Sequence, residues 1–283
     1  MQHRPQLALT VALVGCLAAC AAEPSEPRTD AGADGGGFVV LPDGGAVPQC
    51  RGNRDGVIDR GEVTFLPGVE VRYRVNPANS VARLSTRGAM QGGTRVWDFR
   101  DPAGELVSLR LERTEGQWFT PRFAGAEYAA RLDPRQPLLG VYRATDAAVF
   151  LLGAAGPSAS SQTIIPYNPP LEVLRFPLRV GLEWTAEATT QDAQVEGTPA
   201  ASRDTYAIAV DARGTVQTEA ITFTDALRVR VELTQRFPAG PGTRRIQYLW
   251  LVECYGEVAR AVSREGELDP DFTEASEFRR LGL

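Results

Sequence analysis

The 283-residue chain has no lysine, and its one histidine, His3, lies at the extreme N-terminus, so all 30 of its basic side chains are arginines. Without lysine there is no Schiff-base chemistry. Beyond residue 3, a Ser-His-Asp triad, a Cys-His pair and a His-ligated zinc each lack a required member. Paired carboxylates are the hydrolytic equipment that remains. An excess of cations is also missing: 35 carboxylates against 30 arginines leave a charge of −5, the wrong sign for a nucleic-acid partner. With 43% hydrophobic residues, 28 Gly and 20 Pro, the composition is that of a globular chain with many turns.

Long apolar runs are scarce. One stretch, Leu7 to Ala19, follows Arg4 and ends in Leu17-Ala18-Ala19-Cys20. A span needs about 20 apolar residues, so this stretch reads as a secretory signal at residues 1–19 and not as a retained anchor. The tetrapeptide resembles the bacterial lipobox, which makes Cys20 the lipidated first residue of the mature chain. Ala21 follows where aspartate would signal retention, so the resemblance implies an outer-membrane lipoprotein, facing the periplasm or the cell surface. Loss of Arg4 and His3 then leaves a chain without histidine and one unit more acidic. Residues 20–49 are rich in Ala, Gly, Pro and Asp and cannot bury enough apolar surface to order themselves. They read as a tether, with Phe38 to Leu41 as the patch able to dock as an edge strand.

Four cysteines leave two to account for once Cys16 is removed and Cys20 acylated. In an oxidising compartment Cys50 and Cys254 read as a disulfide, the alternative being two buried thiols. Closing so long a loop stabilises by at most about 5 kcal/mol on the chain-entropy account. Next to Cys50, Arg51 to Glu62 resembles an EF-hand calcium loop. Asn53, Asp55, Asp59 and Glu62 fall on side-chain ligand positions, Val57 offers its carbonyl, and Gly56 supplies the turn. Arg51 replaces the usual first aspartate and no helices flank the loop, so two readings stand: a weak Ca2+ site, or a polar turn that keeps the shape without metal.

From residue 50 to 283 the dominant period is two. Val69, Val71, Tyr73 and Val75 alternate with Glu70, Arg72 and Arg74; Leu227, Val229, Val231 and Leu233 alternate with Arg228, Arg230 and Glu232; Ile246, Tyr248, Trp250 and Val252 form a further face. Such alternation buries one face and wets the other, which puts the arginine faces in water beside nearby glutamates. Turn clusters such as Asp101 to Gly104 and Pro238 to Gly242 separate the strands. The expected fold is mostly β: a curved antiparallel sheet, as a sandwich or half-barrel, with few helices. Residues 50–283 form the β domain, in one core or in two sheet halves meeting near the Pro-rich 160–170. Phe272 to Leu281 reads as a short helix or a last strand.

Leu174 to Trp184, with its FPL..G..W pattern, Val210 to Val216, and Tyr248 to Arg260, with Y.W followed by YG.V.R, accompany the loop after Cys50 and the Arg95-Val96-Trp97-Asp98-Phe99 strand. Together they resemble uncharacterised outer-membrane lipoproteins of myxobacterial type. That resemblance implies a fold and no reaction. Trp97, Trp184, Tyr248 and Trp250 are candidates for a ligand pocket, with ordinary core packing as the competing reading. Three functions follow: a non-enzymatic structural or binding module held to the membrane by its lipid, with an envelope protein as partner; a carrier or sensor of a hydrophobic ligand in an aromatic-lined cavity; and, from Glu253 and Glu257 around Gly256, a carboxylate-dependent glycan hydrolase.

Overall fold

The computed structural model describes residues 39–40, 46–47, 50–63, 65, 67–190 and 192–282. The signal segment and Cys20 lie outside them. Apart from a small ribbon pairing Val39–Val40 with Ala46–Val47, the described chain is one large antiparallel sheet curled almost into a closed barrel. Around the wall, Tyr128–Arg131 pairs with Leu139–Ala144, then Ala148–Ala155, Ile164–Arg175, Glu183–Thr189, Arg203–Thr218, Thr222–Arg236, Thr243–Val252, Gly256–Ser263, Glu274–Leu281, Glu70–Val75 and Glu105–Arg110. The seam closes through Glu112–Arg113, which pairs with Tyr128 and Ala129. Three short 3-10 turns are the helical content among the described residues. Residues 272–281 resolve as a strand, Glu274–Leu281.

Alternation places the core. Val71, Tyr73, Val75, Tyr206, Ile208, Val210, Leu227, Val229, Val231 and Leu233 all point into the barrel, and their apolar side chains fill it. The Pro-rich stretch lies within the long Ile164–Arg175 strand, which pairs with Ala148–Ala155 on one side and meets Glu183–Thr189 at Asn168 on the other.

Two strand faces depart from that alternation. In Thr243–Val252 the residues that enter the barrel are Leu249 and Leu251, while Ile246, Tyr248, Trp250 and Val252, expected to face the core, point outward and are buried because the Thr94–Phe99 strand lies over them. That overlay runs parallel to the end of Arg203–Thr218, and Gly214 permits it: a Cβ there would stand 2.2 Å from the Arg95 carbonyl oxygen. The same cover buries Arg228, which therefore does not face water. Its guanidinium donates to Asp211 at 2.8 and 3.0 Å and to the Thr86 carbonyl at 2.5 Å, and lies 4.5 Å from the centre of the Tyr248 ring. A smaller overlay packs Phe119 and Phe123 on Ala129, Val141 and Leu152.

Candidate functional site

The residues flagged around Cys50 form a clasp across one end of the barrel. Cys50 and Cys254 are joined in a disulfide with a Cα separation of 5.4 Å. The Cys254 amide donates to the Glu62 carbonyl at 2.8 Å, the Arg54 amide to Glu253 Oε2 at 2.8 Å, and Ile58 and Leu178 exchange backbone bonds of 2.9 Å. Ile58 and Val63 drop into the main core, 1% and 2% exposed. Alternating apolar residues on either side of a polar turn thus anchor it from below.

Within the clasp, Asn53, Asp55, Val57, Asp59 and Glu62 share one turn, and Asn53, Asp55 and Glu62 spend side-chain oxygens on its backbone. Asn53 Oδ1 accepts from the Asp55 amide at 2.9 Å, Asp55 Oδ1 from the Val57 amide at 2.7 Å, and Glu62 Oε2 from the Asp59 amide at 3.0 Å. The Arg213 guanidinium packs so closely on Gly56, whose φ is +84°, that a Cβ there would lie 2.0 Å from Nη1. Asp225 holds that guanidinium at 2.7 and 3.1 Å. Among the described residues no group of three or more His, Cys, Asp or Glu side chains is placed to hold a metal ion. The signal that sequence reading missed is Arg213, 157 positions beyond the glycine it covers.

Of the four aromatic candidates, three come together. Trp97, Tyr248 and Trp250 are 0%, 1% and 0% exposed, with ring centroids 5.8 Å apart for Trp97 and Trp250 and 6.0 Å for Tyr248 and Trp250. Phe99 meets Trp250 edge-on at 4.9 Å. The indole of Trp97 donates to the Thr86 carbonyl at 2.9 Å and the Tyr248 hydroxyl to the Pro270 carbonyl at 2.7 Å. Burial pushes the Tyr248 hydroxyl up to about 12. These rings pack between the barrel wall and its overlay. Trp184 stands apart, donating to the Glu172 carbonyl at 2.9 Å with Arg175 above its ring, at the edge of an open hollow of about 330 Å³.

No protein-family model matches the chain, and no curated protein sequence does. Among solved structures, it is similar to a putative lipoprotein from Parabacteroides distasonis ATCC 8503 at 12% identity, over 76% of this chain and 95% of that one, with a TM-score of 0.29. So loose a likeness carries no weight for function. The resemblances to myxobacterial lipoproteins and to an EF-hand loop therefore rest on their sequence motifs.

The carboxylates raised as an acid/base pair point to different places. Glu253 holds the Arg54 amide of the clasp, whereas Glu257 is inside the wall, fully buried. Glu257 accepts from Arg279 Nε at 2.6 Å and from Arg260 Nε at 3.0 Å, with a second, shorter contact to Arg260 Nη2. The Tyr73 hydroxyl donates to its backbone carbonyl at 2.9 Å. Glu277 continues the cluster 3.6 Å from Arg279, and burial raises its carboxyl above the ordinary range. Toward the other end, Asp204 is completely buried, with neutral partners: the Tyr167 hydroxyl at 3.1 Å and the Gln235 amide at 3.2 Å. Burial raises its carboxyl too, against the opposing pull of Ser202, Gln235 and Tyr167. Arginines and acids on strand faces that pattern suggests are wet gave no sequence signal for such a cluster.

Proposed function

We propose that the chain is a non-enzymatic binding module of the cell envelope, anchored to the outer membrane through acylated Cys20. The observation that carries this reading is the Cys50–Cys254 clasp. A disulfide that ties the start of the β domain to the Thr243–Val252/Gly256–Ser263 turn suits an oxidising compartment, and it gives the tether from Cys20 a fixed point of attachment at one end of the barrel. Several acyl chains at about 0.8 kcal/mol per buried CH₂ then hold the domain at the membrane without a spanning helix. No helix among the described residues is long and apolar enough to cross a membrane, which says nothing of strands.

The packed interior favours a surface contact over a lumen. A hydrophobic carrier needs open space between its walls, and here side chains from Val71 to Leu251 occupy it. The loop at 53–62 remains a separate proposal, a weak Ca2+ site of the extracellular kind.

Metabolic labelling with palmitate tests the anchor. Label and membrane fractionation are expected in the wild type and lost in Cys20→Ser; an unlabelled wild type overturns the lipoprotein reading. Native mass spectrometry with and without calcium tests the loop: an added calcium mass that disappears in Asp55→Ala is the result the Ca2+ site requires.

A further inference from the structure

We infer that the end of the barrel opposite the clasp is an oligosaccharide-binding rim built around Trp118 and Gln162. This deepens the binding-module reading and rests on it. The two ends are fixed by register. In the Ala148–Ala155/Ile164–Arg175 pair, Ala148 lies opposite Arg175 and Ala155 opposite Ile164. Leu178, bonded to Ile58 of the clasp, follows closely on the Arg175 end, so the connection from Gly156 to Thr163 lies at the far end.

Two adjacent hollows open there, of about 440 and 320 Å³, within the size range of small-molecule sites. Gln162 borders both. The first is edged by Gln136 and Thr163, the second by Trp118, Arg122 and Gln194. Gln136, Arg122, Gln162 and Gln194 are all exposed. Their chemistry is mixed in a specific way: planar amides and a guanidinium, which hydrogen-bond in a plane, beside an indole that lines the second hollow. Pyranose rings present the matching pair of surfaces, hydroxyls around the edge and C–H groups on the face. Two hollows divided by one amide suit two successive rings of a chain.

The rim is held ready for this. Trp118 is half-buried; its indole N–H donates to the Gly156 carbonyl at 3.1 Å, and the ring packs edge-on against buried Phe119 at 6.0 Å. A ring fixed before the ligand arrives loses little freedom on binding. Gln162 ends its 3-10 turn at φ +47°, ψ +32°, a left-handed conformation where glycine is the ordinary choice. Arg54, Asn79, Glu196, Asp225 and Cys254 share a positive φ, so at Gln162 it counts only together with the two hollows beside it. The Gly197 amide donates to the Gln162 carbonyl at 2.9 Å, and the Gln162 side chain lies along Gly197, in the turn of the Ala193–Val195/Thr198–Ala200 hairpin. The surface thus lies at the end of the barrel opposite Cys50.

The test is calorimetry and saturation-transfer NMR on the full chain, purified in detergent, with three probes: an N-acetylglucosamine tetramer, cellotetraose and maltotetraose. Saturable binding of at least one probe is expected, weakened about tenfold or more in Trp118→Ala and measurably in Gln194→Ala, whose exposed side chain leaves folding intact. Binding confined to the acetamido sugar identifies a wall-type glycan strand as the source; binding of the plain glucans identifies a neutral polysaccharide. No binding of any probe at about 5 mM overturns the inference, as does binding that both variants leave unchanged. Either negative result leaves the palmitate test of the anchor unaffected, so the two readings fail separately.

Discussion

The two ends of the barrel are built from different interactions. At the clasped end a disulfide, backbone bonds between Ile58 and Leu178, and two buried apolar side chains tie distant segments together, and the nearby acid, Glu257, meets two arginines. At the far end the buried acid, Asp204, has neutral partners, and Gln162 borders two open hollows. The near end is thus tied by a covalent bond and a buried ion pair, whereas the far end holds its acid by neutral hydrogen bonds. The lesson is that a barrel wall of uniform alternation can carry two unlike rims, because the rims are made by turns and charges and not by the strands.

Four changes would break or sharpen this contrast. The largest effect is expected from replacing Cys50 and Cys254 together by serine, which should lower unfolding stability by up to about 5 kcal/mol, seen as a lower urea midpoint. An unchanged midpoint would show that the backbone bonds alone hold the clasp. Next, Glu257→Ala removes the carboxylate that buried Arg260 and Arg279 share, with Glu277 still 3.6 Å from Arg279, and should cost about 3 kcal/mol, while Glu253→Ala, at the rim of the clasp, should cost less.

The third is a matter of pH. Because burial raises the Asp204 carboxyl, the folded state holds its proton longer than the unfolded state, whose carboxyl titrates near 3.9. Its contribution is full below that value and is lost as pH rises through the folded value, so stability should fall over that window. Urea unfolding at a series of pH values should show the fall in the wild type and a flatter profile in Asp204→Asn. Glu277, also raised, adds to the same slope in both proteins. The smallest effect should have the opposite sign. Gln162→Gly relieves the left-handed strain and should gain at most about 1 kcal/mol while weakening sugar binding. A loss of stability there would mean that the Gln162 side chain serves the fold.

Much of the wall was legible. Val71, Tyr73 and Val75 face inward and Arg72 outward, as their alternation says, and Leu227 to Leu233 behave likewise. Cysteine counting led directly to the Cys50–Cys254 bond. Less was legible at Arg228, where period-two reasoning expects a wet face, and at Thr243–Val252, where it picks Ile246, Tyr248, Trp250 and Val252 as the inward set while Leu249 and Leu251 enter the barrel. Burial on the second face comes from the Thr94–Phe99 overlay, and no residue within the wall strand announces that another segment will cross it. Trp97 and Trp250 were visible as aromatic; whether they line space or fill it depends on that same crossing. Trp118 was visible as aromatic in the same way, whereas Gln162 gave no signal, since a turn residue's φ follows from what packs beneath it.

By itself the sequence determined the strand-rich class, the inward set of strands such as Glu70–Val75 and Thr222–Arg236, and the pairing of the two cysteines, because side-chain periodicity and thiol chemistry are local or arithmetic properties. The tertiary structure decided the rest: that Arg213 covers Gly56, that Glu257 meets Arg260 and Arg279 in a dry interior, and that Gln162 divides two hollows opposite the clasp. Those outcomes depend on which distant segments share a neighbourhood, and burial and electrostatic environment exist only once the chain has closed on itself.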